Sequence, residues 1–233
     1  IGYDDYIADR LKIARTFHRR LDEIERWTGR KGKLLDVGCA TGFSLEVARE
    51  RGWDAQGIEI SEFACDFARN QLKLDVHCGS LADADLEAET FDVITMWDCI
   101  EHCLDPVREL AFANRALKPG GLLALTAPDI SSWPARMWCP RWMGIKDEEH
   151  LYYFSPQTMR RALNVVGFEM MRVEHVGKYI DIGFFVKRTG LYSALMEKTL
   201  SKAARFLRLN DKVLYVNPFD IMLVYGRKTS ANA

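Results

Sequence analysis

The sequence predicts an α/β fold whose parallel sheet is covered by helices on both faces. Short apolar segments typical of buried strands alternate with segments of helical periodicity through the first half of the chain. The first strand, 33–37, leads into a turn with Gly38 and Gly42, and a helical pattern follows. The second strand, 54–60, carries Glu59 near its end. A strand, a glycine-rich turn and an acidic residue on the next strand are typical of sites that bind nucleotide-like ligands.

The same periodicities predict the other elements. Residues 1–30 form an N-terminal segment whose amphipathic helix, 3–27, has Gly29 as its expected end. Further strands are predicted at 75–78, 92–97, 122–127, 168–176 and 221–225. Further helices are predicted at 42–51, 61–72, 106–117 and 155–167, with Ser61 and Ser155 as N-caps and Pro156 in the first turn.

Composition excludes several classes of protein. A chain of 233 residues with 48% hydrophobic residues supports one large domain, 1–233. A net charge of −1 and a pI near 6.6 argue against a nucleic-acid partner. The six cysteines form no C-x-x-C pair and are interpreted as free thiols in a reducing compartment. No apolar run is long enough to cross a membrane, and residues 1–5 lack a signal pattern, so a cytoplasmic location is expected. Because the chain begins without methionine, it is also a candidate fragment of a longer protein.

The glycine spacing indicates which ligand the first turn binds. The pattern is Gly38-x-x-x-Gly42 instead of the G-x-G-x-x-G of dinucleotide sites, which leaves less room for a pyrophosphate. Asp36 adds a negative charge at the site. A ligand with a cationic amino-acid end, such as S-adenosylmethionine, therefore fits better than one with phosphates.

Five motifs in order resemble the class I S-adenosylmethionine-dependent methyltransferases, and the resemblance covers most of the chain. They are the segment 34–42, Glu59, the FDxIxxxxxxEHxxDP pattern at 91–106, the turn 117–121, and the segment 150–155 together with 167–169. The last pair resembles the branch that includes the ubiquinone-biosynthesis O-methyltransferases. The resemblance implies a Rossmann-like sheet of order 3-2-1-4-5-7-6 with strand seven antiparallel. A long segment between strands six and seven, 177–218, is an insertion relative to the minimal fold.

The resemblance also assigns the cofactor site. Asp36 is expected near the amino group of S-adenosylmethionine, Glu59 on both ribose hydroxyls, and Ile60 beside the adenine. The turn residues expected to approach the ligand closely are Gly38, Cys39 and Gly42. Tyr3 and Tyr6 are candidates for covering the ligand, with simple helix packing as an equal alternative.

Two further strand ends complete that site. Ser80 and Leu81 follow strand three, where the family contacts the adenine edge. Many relatives carry an aspartate there, so Asp83 is a candidate substitute. Trp97 and Asp98 end strand four and are expected beside the sulfonium.

An oxygen or nitrogen acceptor is expected to need a general base. The candidates are His150, His102, Asp98 and Glu101, with His150 preferred because it follows the aromatic loop. The carboxylates of residues 147–149 are expected to raise the pKa of His150. A structural role is the alternative for both histidines. Asp98, Glu101 and His102 also have the chemistry of metal ligands, but no metal is expected.

Two segments are candidates for contacts with the acceptor. The loop 129–150 contains Trp133, Trp138 and Trp142 and suits an aromatic, isoprenoid or acyl acceptor, with plain packing as the alternative. The insertion 177–218 contains an amphipathic helix at 191–208. This helix is interpreted as a lid, as a peripheral membrane contact, or as a dimer or core element.

The leading hypothesis is an enzyme that transfers a methyl group from S-adenosylmethionine to an oxygen of an apolar or aromatic small molecule. The alternatives are a methyltransferase acting on nucleotide sugars or cell-envelope metabolites, and a non-catalytic module that binds S-adenosylmethionine or a partner. Methylation of nucleic acid is disfavoured because residues 97–100 lack the Asn/Asp-Pro-Pro-aromatic motif. Nothing in the sequence indicates an oligomeric state.

Overall fold

The computed structural model describes residues 3–138 (with side chains from residue 6), 141–146, 148–190, 193–207 and 209–229. Nine helices lie in these ranges: α1 Tyr3–Ala8, α2 Arg10–Thr28, α3 Phe43–Glu50, α4 Glu62–Asn70, α5 Pro106–Ala116, α6 Trp133–Trp138, α7 Pro156–Val165, α8 Ile182–Thr189 and α9 Ala194–Phe206. The strands are β1 Lys33–Val37, β2 Asp54–Glu59, β3 Asp75–Cys78, β4 Phe91–Trp97, β5 Leu117–Pro128, β6 Phe168–His175, β7 Lys178–Asp181, β8 Val213–Val216 and β9 Ile221–Lys228. A short 3₁₀ helix covers Ile100–His102.

The predicted sheet order is confirmed. Seven strands pair in the order β3-β2-β1-β4-β5-β9-β6. Strands β1 to β5 are parallel, whereas β9 runs antiparallel to both β5 and β6. Strand β9 corresponds to the predicted strand seven. Its number is higher because the insertion contributes two strands, β7 and β8, that precede it in the chain. The carboxyl ends of β1, β2 and β4 therefore meet at one edge of the sheet, next to the glycine turn.

The core lies on both faces of this sheet, as the continuous apolar strands predict. Successive residues of β1 divide between the faces, so that Leu34 packs towards α2 and α3 and Leu35 packs towards α5 and α7. The apolar side of α2, with Phe17, Leu21 and Ile24, covers the first face. The guanidinium of Arg20, on α2, stacks 4.7 Å from the centre of the Trp97 ring at the end of β4, so this helix brings a polar residue close to the predicted site.

The N-terminal helix differs from the prediction in one respect. It is interrupted at Asp9, which separates α1 from α2 and has a ψ of 4°. The predicted end is confirmed: Gly29 adopts the left-handed conformation with φ 64°, and its N–H donates to the Glu25 carbonyl.

The insertion contains more structure than the single helix predicted for it. Strands β7 and β8 form a separate antiparallel pair, and α8 and α9 lie between them in the chain. The predicted helix 191–208 corresponds to α9, while Leu191, Tyr192 and Arg208 lie outside the described residues. Each strand has four residues, and Lys178 pairs with Val216 far along the chain. Such short and non-local pairing leaves little periodic signal in a sequence.

The insertion is attached to α2 mainly through polar contacts. The ammonium of Lys12 pairs with the Asp181 carboxylate at 2.6 Å, and the Tyr179 N–H donates to Thr16 Oγ1 at 3.0 Å. The guanidinium of Arg19 stacks 4.4 Å from the centre of the Tyr215 ring. These contacts fix β7 and β8 beside the carboxyl edge of the sheet.

The cysteines in the described ranges form no disulfide. Free thiols are found at Cys39, Cys65, Cys78, Cys99 and Cys103. The sixth, Cys139, lies outside the described residues.

Candidate active site

The glycine turn after β1 has the backbone conformation that its sequence predicts. Gly38 and Gly42 have φ values of 73° and 86°, in the left-handed region that favours glycine. The N–H groups of Gly38 and Cys39 donate to the Ile58 carbonyl at 2.8 and 3.1 Å. A Cβ atom on Gly38 would lie 2.7 Å from the Cys99 sulfur, so a side chain at this position would collide with the residues that follow β4.

Glu59 lies at the end of β2 and is held against this turn. Its Oε2 accepts from the Ala40 N–H at 2.8 Å, and its Oε1 accepts from the Ser61 N–H at 2.9 Å. Because each carboxylate oxygen has a second lone pair, both oxygens can still accept from a diol. Ile60 is strongly exposed immediately after the strand, at the rim predicted to flank the adenine.

The residues after β3 that were predicted to contact the adenine differ in their exposure. Ser80 donates to Asp83 Oδ2 through its N–H at 3.1 Å and through its hydroxyl at 2.5 Å. Asp83 therefore stabilises this turn. The Leu81 side chain is buried in the core, so it offers no exposed surface to a ligand.

Asp36 is fully buried beneath the turn. Its Oδ1 accepts from the Thr95 hydroxyl at 2.6 Å, and its Oδ2 accepts from the Ser44 hydroxyl. Burial raises the pKa of Asp36 to about 6, because desolvation outweighs the two hydrogen bonds that favour its charged form. The contact of Asp36 with an amino group stays a prediction.

Asp98 directly follows β4 in a left-handed conformation with φ 49°, and its carboxylate is bound by two neighbouring side chains. Its Oδ1 accepts from the Thr126 hydroxyl at 2.8 Å, and its Oδ2 forms an ion pair with Lys178 of β7. Although burial alone would raise the pKa of Asp98, the charges of Lys178 and Arg20 hold that pKa below its usual range. A carboxylate so engaged is a poor general base, which weakens this candidate.

Arg20 is a candidate site residue that sequence reasoning missed. It lies on α2, is only 5% exposed, and stacks 4.7 Å from the centre of the Trp97 ring. Its Nε and Nη2 atoms have no hydrogen-bond partner among the described residues. A signal was present in the sequence: Arg20 follows Phe17 by three residues and precedes Leu21, so it lies within the apolar stripe of its helix.

Tyr6 lies over the same edge of the sheet. Its ring stacks on Phe43 with centroids 5.5 Å apart and planes 6° from parallel. Burial, followed by the nearby charges of Asp36 and Asp98, raises the pKa of Tyr6. The side chain of Tyr3 lies outside the described part of the structure.

His102 and His150 are brought together although they lie 48 positions apart in the sequence. Their ring centroids lie 4.9 Å apart. The Nδ1 of His150 is 3.0 Å from the Gly144 carbonyl, and the Nδ1 of His102 is 2.7 Å from the Glu149 carbonyl. Since a carbonyl only accepts, both Nδ1 atoms carry a hydrogen, which leaves a lone pair on Nε2 of each neutral ring.

The predicted direction of the His150 pKa is wrong. Burial and the neighbouring His102 lower the pKa of His150, and the attraction of Glu149 does not offset them. Glu149 is itself paired with Lys146 at 2.7 Å, and Asp147 lies outside the described residues. His150 is therefore neutral at physiological pH.

Glu101 lies beside the two histidines. Its side chain is almost fully buried, and its Oε2 has no hydrogen-bond partner in the described part of the chain. Burial, together with the charge of Asp98, raises the pKa of Glu101 to about 8. One ligand atom from each of Glu101, His102 and His150 lies within 4.8 Å of the others, a spacing that suits a metal ion. The metal-ligand set considered from the sequence contained Asp98 instead of His150, and the pairing of Asp98 with Lys178 explains the difference.

The aromatic loop has a buried tryptophan and an exposed helix. Trp142 is buried, and its Nε1–H donates to Asp220 Oδ2 at 2.8 Å, so it packs under the loop. Trp133, Met137 and Trp138 of α6 are exposed. The tryptophans of α6 thus stay candidates for contact with an acceptor.

Comparisons with known proteins agree with this geometry. A family model described as a methyltransferase domain matches residues 6–173. A ubiquinone biosynthesis O-methyltransferase from Idiomarina loihiensis is 30% identical over 174 residues, which are 70% of this chain and 68% of that protein. One from Coxiella burnetii is 36% identical over 110 residues, so the chain spans about half the length of this relative, 47%. The solved structure of a SAM-dependent methyltransferase from Thermotoga maritima shares the fold, with a TM-score of 0.64 and 20% sequence identity. The match covers 97% of this chain and 95% of the Thermotoga maritima chain.

Proposed function

The chain belongs to the methyltransferase domain family, and we propose that it transfers a methyl group from S-adenosylmethionine to an oxygen of an apolar or aromatic small molecule. The comparisons indicate S-adenosylmethionine as the cofactor. This cofactor, when bound, supplies an electrophilic methyl group on a sulfonium. The names of the curated relatives support oxygen as the atom that is methylated.

The observation that carries the proposal is the placement of Glu59 and Arg20 on opposite sides of the glycine turn. Glu59 ends β2, whereas Arg20 stacks on Trp97 at the end of β4, and β1 lies between these two strands. Neighbouring strands are about 4.8 Å apart, so the ends of β2 and β4 are separated by roughly 10 Å. An elongated ligand with a diol at one end and a carboxylate at the other can donate hydrogen bonds to Glu59 and accept hydrogen bonds from Arg20.

Arg20 is the residue we assign to the carboxylate end. A buried guanidinium whose nitrogen atoms have no hydrogen-bond partner destabilises the folded protein, because its charge has been removed from water. A bound anion that accepts hydrogen bonds from these nitrogen atoms offsets this cost. A carboxylate can do so with two parallel hydrogen bonds, which favours arginine over lysine at this position. Glu59 binds the ribose hydroxyls, and the peptide groups of Gly38, Cys39 and Gly42 lie along the ligand.

His150 is the residue we assign to proton removal from the acceptor. Its Nε2 carries a lone pair, and its lowered pKa keeps it neutral, so it can accept the proton of an acceptor hydroxyl. His102 lies against its ring and restricts its orientation. Exposed Trp133 and Trp138 support an apolar or aromatic acceptor.

A transfer assay tests this proposal. The chain is incubated with S-adenosylmethionine labelled in its methyl group and with two panels of acceptors, one of phenols, catechols and quinols and one of nucleotide sugars and polar metabolites. The label in each isolated product is then counted. We expect label in at least one phenolic product. Transfer confined to sugars or polar metabolites would contradict the acceptor class, and no transfer despite tight cofactor binding would favour a binding module.

A further inference from the structure

The apolar side of α9 faces away from the protein. Leu195 is 75% exposed and Phe206 is 87% exposed. The other large apolar side chains of this helix and its end, Met196, Leu200 and Leu207, are also exposed. Ala204 is buried, while Glu197 and Ser201 are half-buried, so small and polar residues make the contact with the protein. A helix that stabilises a core shows the opposite arrangement.

The same helix pair has a local excess of positive charge. Five basic side chains lie on α8 and α9, against the single acidic residue Glu197: Lys187, Arg188, Lys198, Lys202 and Arg205. The chain as a whole has 32 basic and 33 acidic residues, so this excess is not a general property of the molecule. None of the five forms an ion pair with another described residue.

We propose that the outward face of α9 binds the surface of a lipid bilayer that contains anionic headgroups. An exposed apolar strip beside basic side chains is the arrangement that places a helix in the plane of a membrane interface. Residues three and four positions apart lie on the same side of a helix. Lys198, Lys202 and Arg205 therefore lie along one edge of the apolar strip, where they can reach headgroup phosphates. Among the described residues, no helix has the length and apolarity needed to cross the bilayer, so the contact is peripheral.

Charge argues against a second copy of this chain on the same face. A two-fold interface brings identical patches together, so that the basic residues of α9 would face one another without a described acidic partner. An anionic membrane surface removes this repulsion and covers the apolar strip at the same time. The inference does not depend on methyl transfer, because it rests on exposure and charge alone.

Vesicle co-sedimentation tests the proposal. The chain is mixed with vesicles of phosphatidylcholine alone or with about one-third phosphatidylglycerol, at low and high salt. We expect binding to the anionic vesicles that weakens with salt. Lys198→Glu/Lys202→Glu should weaken it at least about tenfold, since each basic residue near such a surface contributes about a factor of five. Leu195→Ser/Phe206→Ser should weaken it by a similar factor.

Matched controls lie on α7, on exposed positions with no described side-chain partner. Arg160→Glu/Arg161→Glu makes the same charge change, and Val165→Ser removes an exposed apolar side chain. Both should bind vesicles as the unmodified chain does. Absence of binding to anionic vesicles, or equal losses for α7 and α9 variants, would overturn the proposal. A dimer in sedimentation velocity that Leu195→Ser/Phe206→Ser dissociates, without vesicle binding, would assign the face to a second copy.

Discussion

The carboxyl edge of the sheet, which is the proposed cofactor edge, and the insertion after β6 use polar and apolar groups in opposite ways. At the cofactor edge, buried acids such as Asp36 and Glu59 are held by hydrogen bonds from neighbouring turns and strands. In the insertion, polar contacts such as Lys12 with Asp181 attach the segment, while the apolar face of α9 is left outside. The first region is the proposed cofactor site, and the second is an attachment whose exposed face is the proposed membrane contact. Changes at the edge should alter binding and chemistry, whereas changes on α9 should leave both intact.

The largest effect is expected for His150. Replacing it with Asn, which can still donate to the Gly144 carbonyl, should lower the transfer rate by about 10²–10⁴ while leaving cofactor affinity unchanged. The base must be neutral, and the pKa of His150 lies below the ordinary 6.5, so the transfer rate should be constant above pH 6.5. The rate should fall at lower pH, where the pH passes below the pKa of His150 and the ring becomes protonated. His18→Asn, on an exposed position of α2, is the control. Unchanged rate and pH profile would make His150 structural.

Glu59 should show the next largest effect. Glu59→Gln keeps the size of the side chain but replaces one charged acceptor oxygen with a donor, so S-adenosylmethionine should bind about 100-fold more weakly. Calorimetric titration measures the affinity, and circular dichroism checks the fold. Glu62→Gln, at an exposed position of α4, should bind S-adenosylmethionine normally. An unaltered affinity in Glu59→Gln would remove the ribose assignment.

Arg20 should show a smaller effect that depends on the ligand. Arg20→Met should weaken binding of S-adenosylmethionine by about 10–100-fold, because a charge-assisted pair is lost. An analogue that lacks the carboxylate should bind the variant and the unmodified chain equally. Arg15→Met, exposed on the same helix, is the control. Equal losses for both ligands would mean that Arg20 acts through packing.

The smallest effect is expected on α9. Phe206→Ala should change the free energy of unfolding by less than about 0.5 kcal/mol, because the side chain is exposed. Phe43→Ala should cost about 3–5 kcal/mol, since that ring is fully buried and stacks on Tyr6. Urea titration compares the two. A large loss in Phe206→Ala would show that α9 packs inward and would weaken the contrast between the regions.

Much of the fold was predictable because its signals are local. The apolar strands, the N-caps Ser61 and Ser155 and the left-handed glycines at 29, 38 and 42 each act within a few residues. The order of the strands came from the resemblance to a family, not from periodicity. The antiparallel pair of β7 and β8 was missed because it joins Lys178 to Val216 across two helices.

The site was less predictable where it depends on tertiary contacts. The contacts of Thr95 with Asp36, Lys178 with Asp98, and His102 with His150 all join distant segments. The direction of the His150 pKa shows the consequence: its acidic sequence neighbours predict a rise, whereas burial and a second imidazole lower it. Arg20 could have been found, because a basic residue within an apolar stripe must meet something that compensates its charge.

Calorimetric titration of the folded chain with S-adenosylmethionine and with its demethylated product, S-adenosylhomocysteine, tests the central claim most directly. The account predicts micromolar binding of both ligands, one per chain, because both carry the ribose and the carboxylate that Glu59 and Arg20 would bind. Absence of binding by either ligand to a folded chain would contradict the assignment of this edge of the sheet as the cofactor site.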